Sequence, residues 1–184
     1  MKIITISAKA QHGKDLTASI LKEKLEQQSK KVLIVHYADY LKFICKEYFG
    51  WNGVKDEKGR SLLQKIGTDK IRKIDPDFHV SIVAKLINVF ANDFDYFLIP
   101  DTRFVNELEY LKNNKFNVIS LHVERLNFEN NLTSEQKLHP SETALDNYKF
   151  DYYIKVESGR EILEAEVDKF IKFLNGGNRC LYIL

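Results

Sequence analysis

The turn between the first apolar run and the first helical stretch reads Ser7-Ala8-Lys9-Ala10-Gln11-His12-Gly13-Lys14-Asp15-Leu16-Thr17. Against the pattern GxxxxGK[ST] it keeps Gly13 and Lys14 at the required spacing, between a strand and a helix. Such a turn can hold an anion. Its backbone N–H groups converge with the positive end of a helix, and a lysine there neutralises phosphate charge. Lys9, Ala10, Gln11, His12, Gly13, Lys14, Asp15, Leu16 and Thr17 are the expected nucleotide-phosphate contacts. Ala8 replaces the first glycine, and Asp15 replaces the hydroxyl residue that usually meets Mg²⁺. A carboxylate can hold Mg²⁺ directly or through water, and Thr17 supplies a hydroxyl shortly after. The competing reading is an ordinary strand-to-helix turn, with Gly13 relieving backbone strain and Asp15 complementing the helix dipole.

The elements that must position this turn alternate along the chain. Apolar runs at 2–7, 32–37, 95–100, 117–123 and 151–156 predict five strands. Helical spacing predicts helices over 14–28, 40–49, 61–73, 78–92, 104–114 and 160–174, with a short helix before the last strand. Residues 50–59 hold three glycines and read as a loop. Residues 125–140 are polar and read as a mobile excursion. Strands separated by helices imply an α/β fold with a mostly parallel sheet and helices on both faces. With 184 residues and no linker, one domain over 1–184 is expected.

Composition narrows the function classes. Hydrophobic residues make up 44% and aromatics 12%, enough for a core and against disorder. Net charge is +2, although residues 1–90 carry 17 basic and 10 acidic groups. That asymmetry suits anionic small molecules, and with no aromatic-interleaved basic run it gives no case for nucleic acid. Cys45 and Cys180 form no CxxC pair, which argues against a disulfide scaffold or a zinc site. No signal peptide or membrane span is evident, so a cytoplasmic protein is expected. The apolar tail CLYIL could dock on its own core or on a second copy, which leaves a homodimer open.

Five segments in order carry a resemblance. They are the loop variant GKDxT; Ala38-Asp39-Tyr40-Leu41-Lys42; Leu63-Gln64-Lys65-Ile66-Gly67-Thr68-Asp69; Pro100-Asp101-Thr102-Arg103-Phe104-Val105-Asn106-Glu107; and His139-Pro140-Ser141-Glu142. Together they resemble deoxynucleoside monophosphate kinases of the phage type. The resemblance implies a three-layer P-loop NTPase fold of the nucleoside monophosphate kinase kind, with a five-stranded parallel sheet. It also implies transfer of the γ-phosphoryl of ATP, with Mg²⁺, to a (deoxy)nucleoside monophosphate. His79 stands where the family pattern suggests tryptophan, and the chain is shorter than the phage enzymes.

Within that resemblance, Lys14 binds phosphate and Asp15 and Asp101 stand near Mg²⁺. Arg103 points its planar fork at the acceptor phosphate, and Arg125 belongs to a lid over residues 125–140 that closes on the transferring group. Asp39, Lys42, Gln64, Thr68 and Arg72 line the acceptor pocket. Each residue has a plainer alternative. Asp101 could cap the helix near Phe104, Arg103 could pair with Glu107, and Gln64, Thr68 and Arg72 could form a solvated face. Ser141 could cap the next helix, Tyr37, Tyr40 and Phe104 could be core or base-stacking residues, and His12 and His122 read as loop and strand residues. Two other functions fit the same residues: a kinase for another small phosphorylated metabolite, or a non-catalytic nucleotide binder.

Overall fold

β1 (Lys2–Ser7) is a run of aliphatic and β-branched residues and forms the centre of the sheet in the computed structural model, which describes residues 1–176. The apolar tail and Cys180 lie outside the described residues. The other strands are β2 (Val32–Ile34), β3 (Tyr96–Ile99), β4 (Val118–Arg125) and β5 (Tyr152–Val156). They pair in the order β2-β3-β1-β4-β5, and every pairing is parallel.

Side chains alternate across a strand, so each β-run feeds two cores. Ile4, Ile6, Leu98, Leu121, Val123 and Ile154 pack under α1 (Lys14–Gln27) and α9 (Arg160–Leu174). Ile3, Phe97 and Ile99 pack on the opposite face under α5 (Phe78–Val89) and α6 (Val105–Asn113). Full burial of each large aliphatic side chain is worth roughly 1.5–3 kcal/mol, so these two layers hold the sheet rigid beneath the turns at its carboxyl end. No helix among the described residues is long and apolar enough to cross a membrane.

An arm projects beyond the sheet. α2 (Ala38–Phe49) leads to α3 (Glu57–Gln64), which winds as a π-helix over Lys65–Ile71 and ends in the short turn α4 (Arg72–Ile74). Leu41, Cys45, Trp51 and Ile66 form a small core that ties the arm together. Burial pushes the Cys45 thiol pKa up, so it packs as an apolar residue. The expected loop at 50–59 is shorter than its glycines suggest, because Asp56 accepts from the Gly59 N–H at 2.7 Å and starts α3 there. Gly59 is required. A Cβ at this position would lie 2.1 Å from the Val54 carbonyl oxygen and 2.7 Å from Trp51 Nε1.

The excursion after β4 is partly ordered by local bonds. Thr133 and Gln136 form a reciprocal capping box that opens α7 (Ser134–Leu138). The next turn, α8 (Pro140–Thr143), is capped by His139 rather than by Ser141. His139 Nδ1 accepts from the Ser141 N–H, and proline occupies the first helical position.

Candidate functional site

The β1–α1 turn has the geometry of an anion nest. Gly13 sits at φ +89° at the start of α1, a left-handed conformation that side chains disfavour. The Ala10 N–H points inward and donates to Glu142 Oε2 at 3.0 Å, so a carboxylate of the chain already sits on the turn. Lys14 Nζ pairs with Asp15 Oδ2 at 2.7 Å, with Asp15 exposed to solvent. Lys9 turns away from the cavity to Asp146 and the Glu142 carbonyl. Thr17 is fully buried and donates its hydroxyl to the Gly13 carbonyl at 3.0 Å, and Leu16 is exposed. Thr17 therefore shapes the turn from behind rather than presenting its hydroxyl to the cavity.

The stretch from the end of β3 into α6 supplies two carboxylates, Asp101 and Glu107, that both accept from backbone amides. Asp101 caps α2, not α6: its two oxygens accept from the Tyr37 and Ala38 N–H groups at 3.0 Å each. That demand also explains why β2 is shorter than the apolar run 32–37 suggests. The chain must leave the sheet to bring those amides to Asp101.

α6 is capped instead by its own Glu107, 1% exposed, which accepts from the Arg103 and Phe104 N–H groups at 2.7 and 3.1 Å. Glu107 also pairs with Arg72, whose guanidinium lies 4.1 Å from the centre of the Phe104 ring. Burial pushes the Glu107 pKa up, while Arg72 and the two amides pull against it. Arg103 therefore does not pair with Glu107. Its guanidinium bonds to Glu142 and to the Ser141 carbonyl, at 3.0 Å for the latter.

Between the turn and the arm lies a cavity of about 570 Å³. Lys14, Asp15, Lys42, Gln64, Thr68, Arg72, Asp101 and Arg103 all line it, drawn from four separate segments. The π-wound stretch keeps Gln64, Thr68 and Arg72 together on the cavity wall. Asp39 stands beside the cavity and orients Lys42 at 2.7 Å, with His36 at 3.4 Å. Partial burial raises the Asp39 pKa, but the Lys42 and His36 contacts outweigh it, and the net shift is downward.

The kinase family model for deoxynucleotide monophosphate kinases matches residues 51–167, nearly two thirds of the chain. The chain belongs to that family. Among curated proteins, no sequence matches it significantly. Among solved structures, the kinase is similar to shikimate kinase from Bacteroides thetaiotaomicron, with TM-score 0.55, 12% identity, and 95% of this chain and 98% of that one covered. It is also similar to the APS kinase of Mycobacterium tuberculosis, with TM-score 0.53, 8% identity, and 95% and 96% coverage. A second structure of that APS kinase, in complex with AMPPNP and APS, aligns with TM-score 0.51, 6% identity, and 95% and 97% coverage. At these identities the likeness establishes the three-layer phosphate-loop kinase fold.

Some expected contacts of the kinase lie apart from this cavity. Arg125 stacks at 4.1 Å on Phe128 and donates to Ser158 Oγ at 2.7 Å. Its backbone N–H donates to His12 Nδ1 at 3.0 Å. Burial first, with the nearby Arg125 and Lys9 charges, outweighs the neighbouring carboxylates and lowers the His12 pKa, in keeping with an accepting neutral ring. Tyr37, by contrast, lines the cavity from a buried position, with its hydroxyl donating to the Glu107 carbonyl, and His122 lies against Phe150 at 4.8 Å.

The structure also lines the cavity with Glu107, expected only as a partner for Arg103, and with residues not among the expected site residues: Lys55, Arg60, His79, Leu132 and Gln136. The last two lie in the excursion, whose Asn131 N–H bonds to Gln11 of the turn at 3.1 Å. The capping-box spacing of Thr133 and Gln136 was a readable sign that this segment is structured.

Proposed function

We propose that the kinase transfers the γ-phosphoryl of ATP to a (deoxy)nucleoside monophosphate, with Mg²⁺. The observation that carries the reading is the shared cavity, which joins the Gly13–Lys14 turn to the polar wall of the arm. A donor phosphate bound on the turn and an acceptor bound against the arm would meet between Lys14 and Arg103. The family match supports a nucleoside monophosphate as acceptor, and AMPPNP in the similar APS kinase supports ATP as donor.

An acceptor that already carries an ionised phosphate needs no strong base, so the chain's task is alignment and charge neutralisation. Lys14 holds the donor phosphates, and Arg103 presents a planar fork to the acceptor phosphate. Each must exchange an internal carboxylate, Asp15 or Glu142, for a phosphate. Asp39 and Lys42, with Gln64, Thr68 and Arg72, fix the acceptor. Arg125 reaches the transferring group only by leaving Phe128 and Ser158 when the lid closes.

The donor set fits Mg²⁺. No cluster of three acidic, histidine or cysteine ligands exists among the described residues, but Mg²⁺ bound with nucleotides takes only one or two carboxylates beside phosphates and water. Asp15 is exposed at the cavity rim, and Asp101 keeps lone pairs beyond its two amide bonds. When bound, the ion supplies charge neutralisation on the phosphates.

The test is ADP release from ATP across the ribo- and deoxyribonucleoside monophosphates, with and without EDTA. A Mg²⁺-dependent rate with one or a few acceptors is expected. ATP binding with no turnover on any nucleotide would overturn the acceptor assignment.

A further inference from the structure

Glu142, in the short turn α8, sends one carboxylate to two parts of the molecule. Its Oε2 accepts from the Ala10 N–H of the β1–α1 turn at 3.0 Å, and its Oε1 pairs with the Arg103 guanidinium beyond β3. The side chain is 8% exposed, yet Glu142 lines the cavity together with Ala10 and Arg103. A buried carboxylate is retained only where donors and cations compensate its lost hydration. Here the compensation comes from the two places assigned above to phosphates: the turn for the donor and Arg103 for the acceptor.

The rest of α8 is fastened by neighbours of the same two kinds. The Ser141 carbonyl accepts from Arg103 at 3.0 Å, and Lys9 of the turn holds both the Glu142 carbonyl and Asp146. α8 therefore bridges the two halves of the site, and one negative charge ties them together.

The geometry points to Glu142 as the residue that couples the binding of donor and acceptor, an inference that rests on the phosphoryl-transfer reading above. A phosphate arriving on either side repels the carboxylate and competes for its partners. Once one phosphate has drawn a partner away, Glu142 is held by the other alone, and the second phosphate displaces it more easily. The cost of moving the carboxylate falls on whichever ligand arrives first. The second binds without it, so each ligand tightens the other by the same factor. The Lys14–Asp15 pair has no such consequence, because Asp15 is exposed and adjoins Lys14 in the same segment.

The experiment titrates full-length protein in a calorimeter with AMPPNP and Mg²⁺, alone and with a deoxynucleoside monophosphate at saturation. The four common nucleotides are taken in turn, and the reverse titration closes the cycle. E142Q keeps the size of the side chain and removes its charge. Hydrogen exchange at the Ala10 amide of the unmodified protein provides a second measurement that requires no variant.

In the unmodified protein each ligand should tighten the other by about tenfold. In E142Q each ligand alone should bind more tightly than before, and the mutual tightening should largely disappear. An acceptor bound alone should speed exchange at the Ala10 amide, since the amide loses its carboxylate. Absence of mutual tightening, or tightening that E142Q leaves intact, overturns the inference while both binding sites stand. Weaker binding of either ligand alone to E142Q also overturns it, because that is the result of a carboxylate that only braces the site. An Ala10 amide equally protected with acceptor bound overturns the displacement even if E142Q does not fold. Failure of AMPPNP or of every nucleotide to bind the unmodified protein overturns the phosphoryl-transfer reading, and this inference with it.

Discussion

On the turn side of the cavity, each cation meets a carboxylate of the chain: Lys14 meets Asp15, Arg103 meets Glu142, and Lys9 meets Asp146. On the arm side, Lys42 and Arg72 are paired in the same way, with Asp39 and Glu107, but Lys55 has no carboxylate within salt-bridge distance among the described residues. The contrast separates two ways of preparing a site. Internal pairs hold the turn in shape before a phosphate arrives, and binding becomes an exchange of one anion for another. A cation without a counter-ion, such as Lys55, keeps its charge free for an incoming anion. Burial first, and then the Lys42, Lys14 and Arg103 charges, lower the Lys55 pKa.

Breaking the paired side at its centre gives the largest effect. K14A removes the cation that neutralises charge on the transferring phosphoryl, and kcat should fall by about a thousandfold or more. The fold should survive, since the one partner lost among the described residues is the exposed Asp15. Circular dichroism and single-turnover rates on the same preparation check both halves of that expectation. Unchanged turnover would remove the turn from the mechanism.

The next effect is structural. E107A strips the cap from α6 and leaves Arg72 partly buried without its counter-ion. Breaking a buried pair from one side costs about 3 kcal/mol or more, read as a shift in the urea midpoint at constant slope. E107Q keeps an acceptor for the amides and should recover part of that loss. Acceptor binding should weaken in both variants, because Arg72 is the link between α6 and the arm.

The third effect tests the arm side through pH. The folded His79 pKa of about 4 lies below its ordinary value of 6.5, so the unfolded chain binds the proton more tightly. The contribution to stability is therefore complete above pH 6.5 and is lost as pH falls toward 4. Between neutrality and about pH 4.5 the loss amounts to about 2–3 kcal/mol. H79F should show a correspondingly flatter stability curve over that window. The facing charges, Arg72 and Asp75, are present in both proteins, so the difference between the curves isolates the ring. Parallel curves would show that His79 is not held neutral by the fold.

How far the sequence reveals these two sides follows from how local each signal is. The five strands are legible because runs such as IITIS and YFLI are apolar on both faces. The turn is legible because Gly13 and Lys14 are neighbours. α9 is legible because Leu163, Val167, Phe170, Ile171 and Leu174 repeat at helical spacing.

The pairings that build the site are not local. Asp101 reaches Tyr37 and Ala38, Arg72 reaches Glu107, and Arg103 reaches Glu142 only after the sheet has aligned the ends of its strands. No spacing rule distinguishes an aspartate that caps the next helix from one that caps a helix 63 residues earlier. The π-winding at Lys65–Ile71 leaves no mark in the apolar pattern either. His79 looks like an ordinary residue of an apolar helix until the structure places it in the cavity wall.

The smallest predicted effect is the one that most sharpens the contrast. Lys55 sits in the loop held by the Trp51 Nε1–Val54 bond at 2.9 Å and lines the cavity. If it supplies charge to bound phosphates, K55A should lower kcat/KM by about tenfold. The loss should be the same for every acceptor base, because a phosphate contact carries no information about the base. It should shrink as salt rises, since the residue is only partly buried and screening reaches it. K55R should restore much of the activity, as a point charge requires no particular fork geometry. A K55A loss that depends on the base would show instead that Lys55 reaches beyond the phosphates of the acceptor.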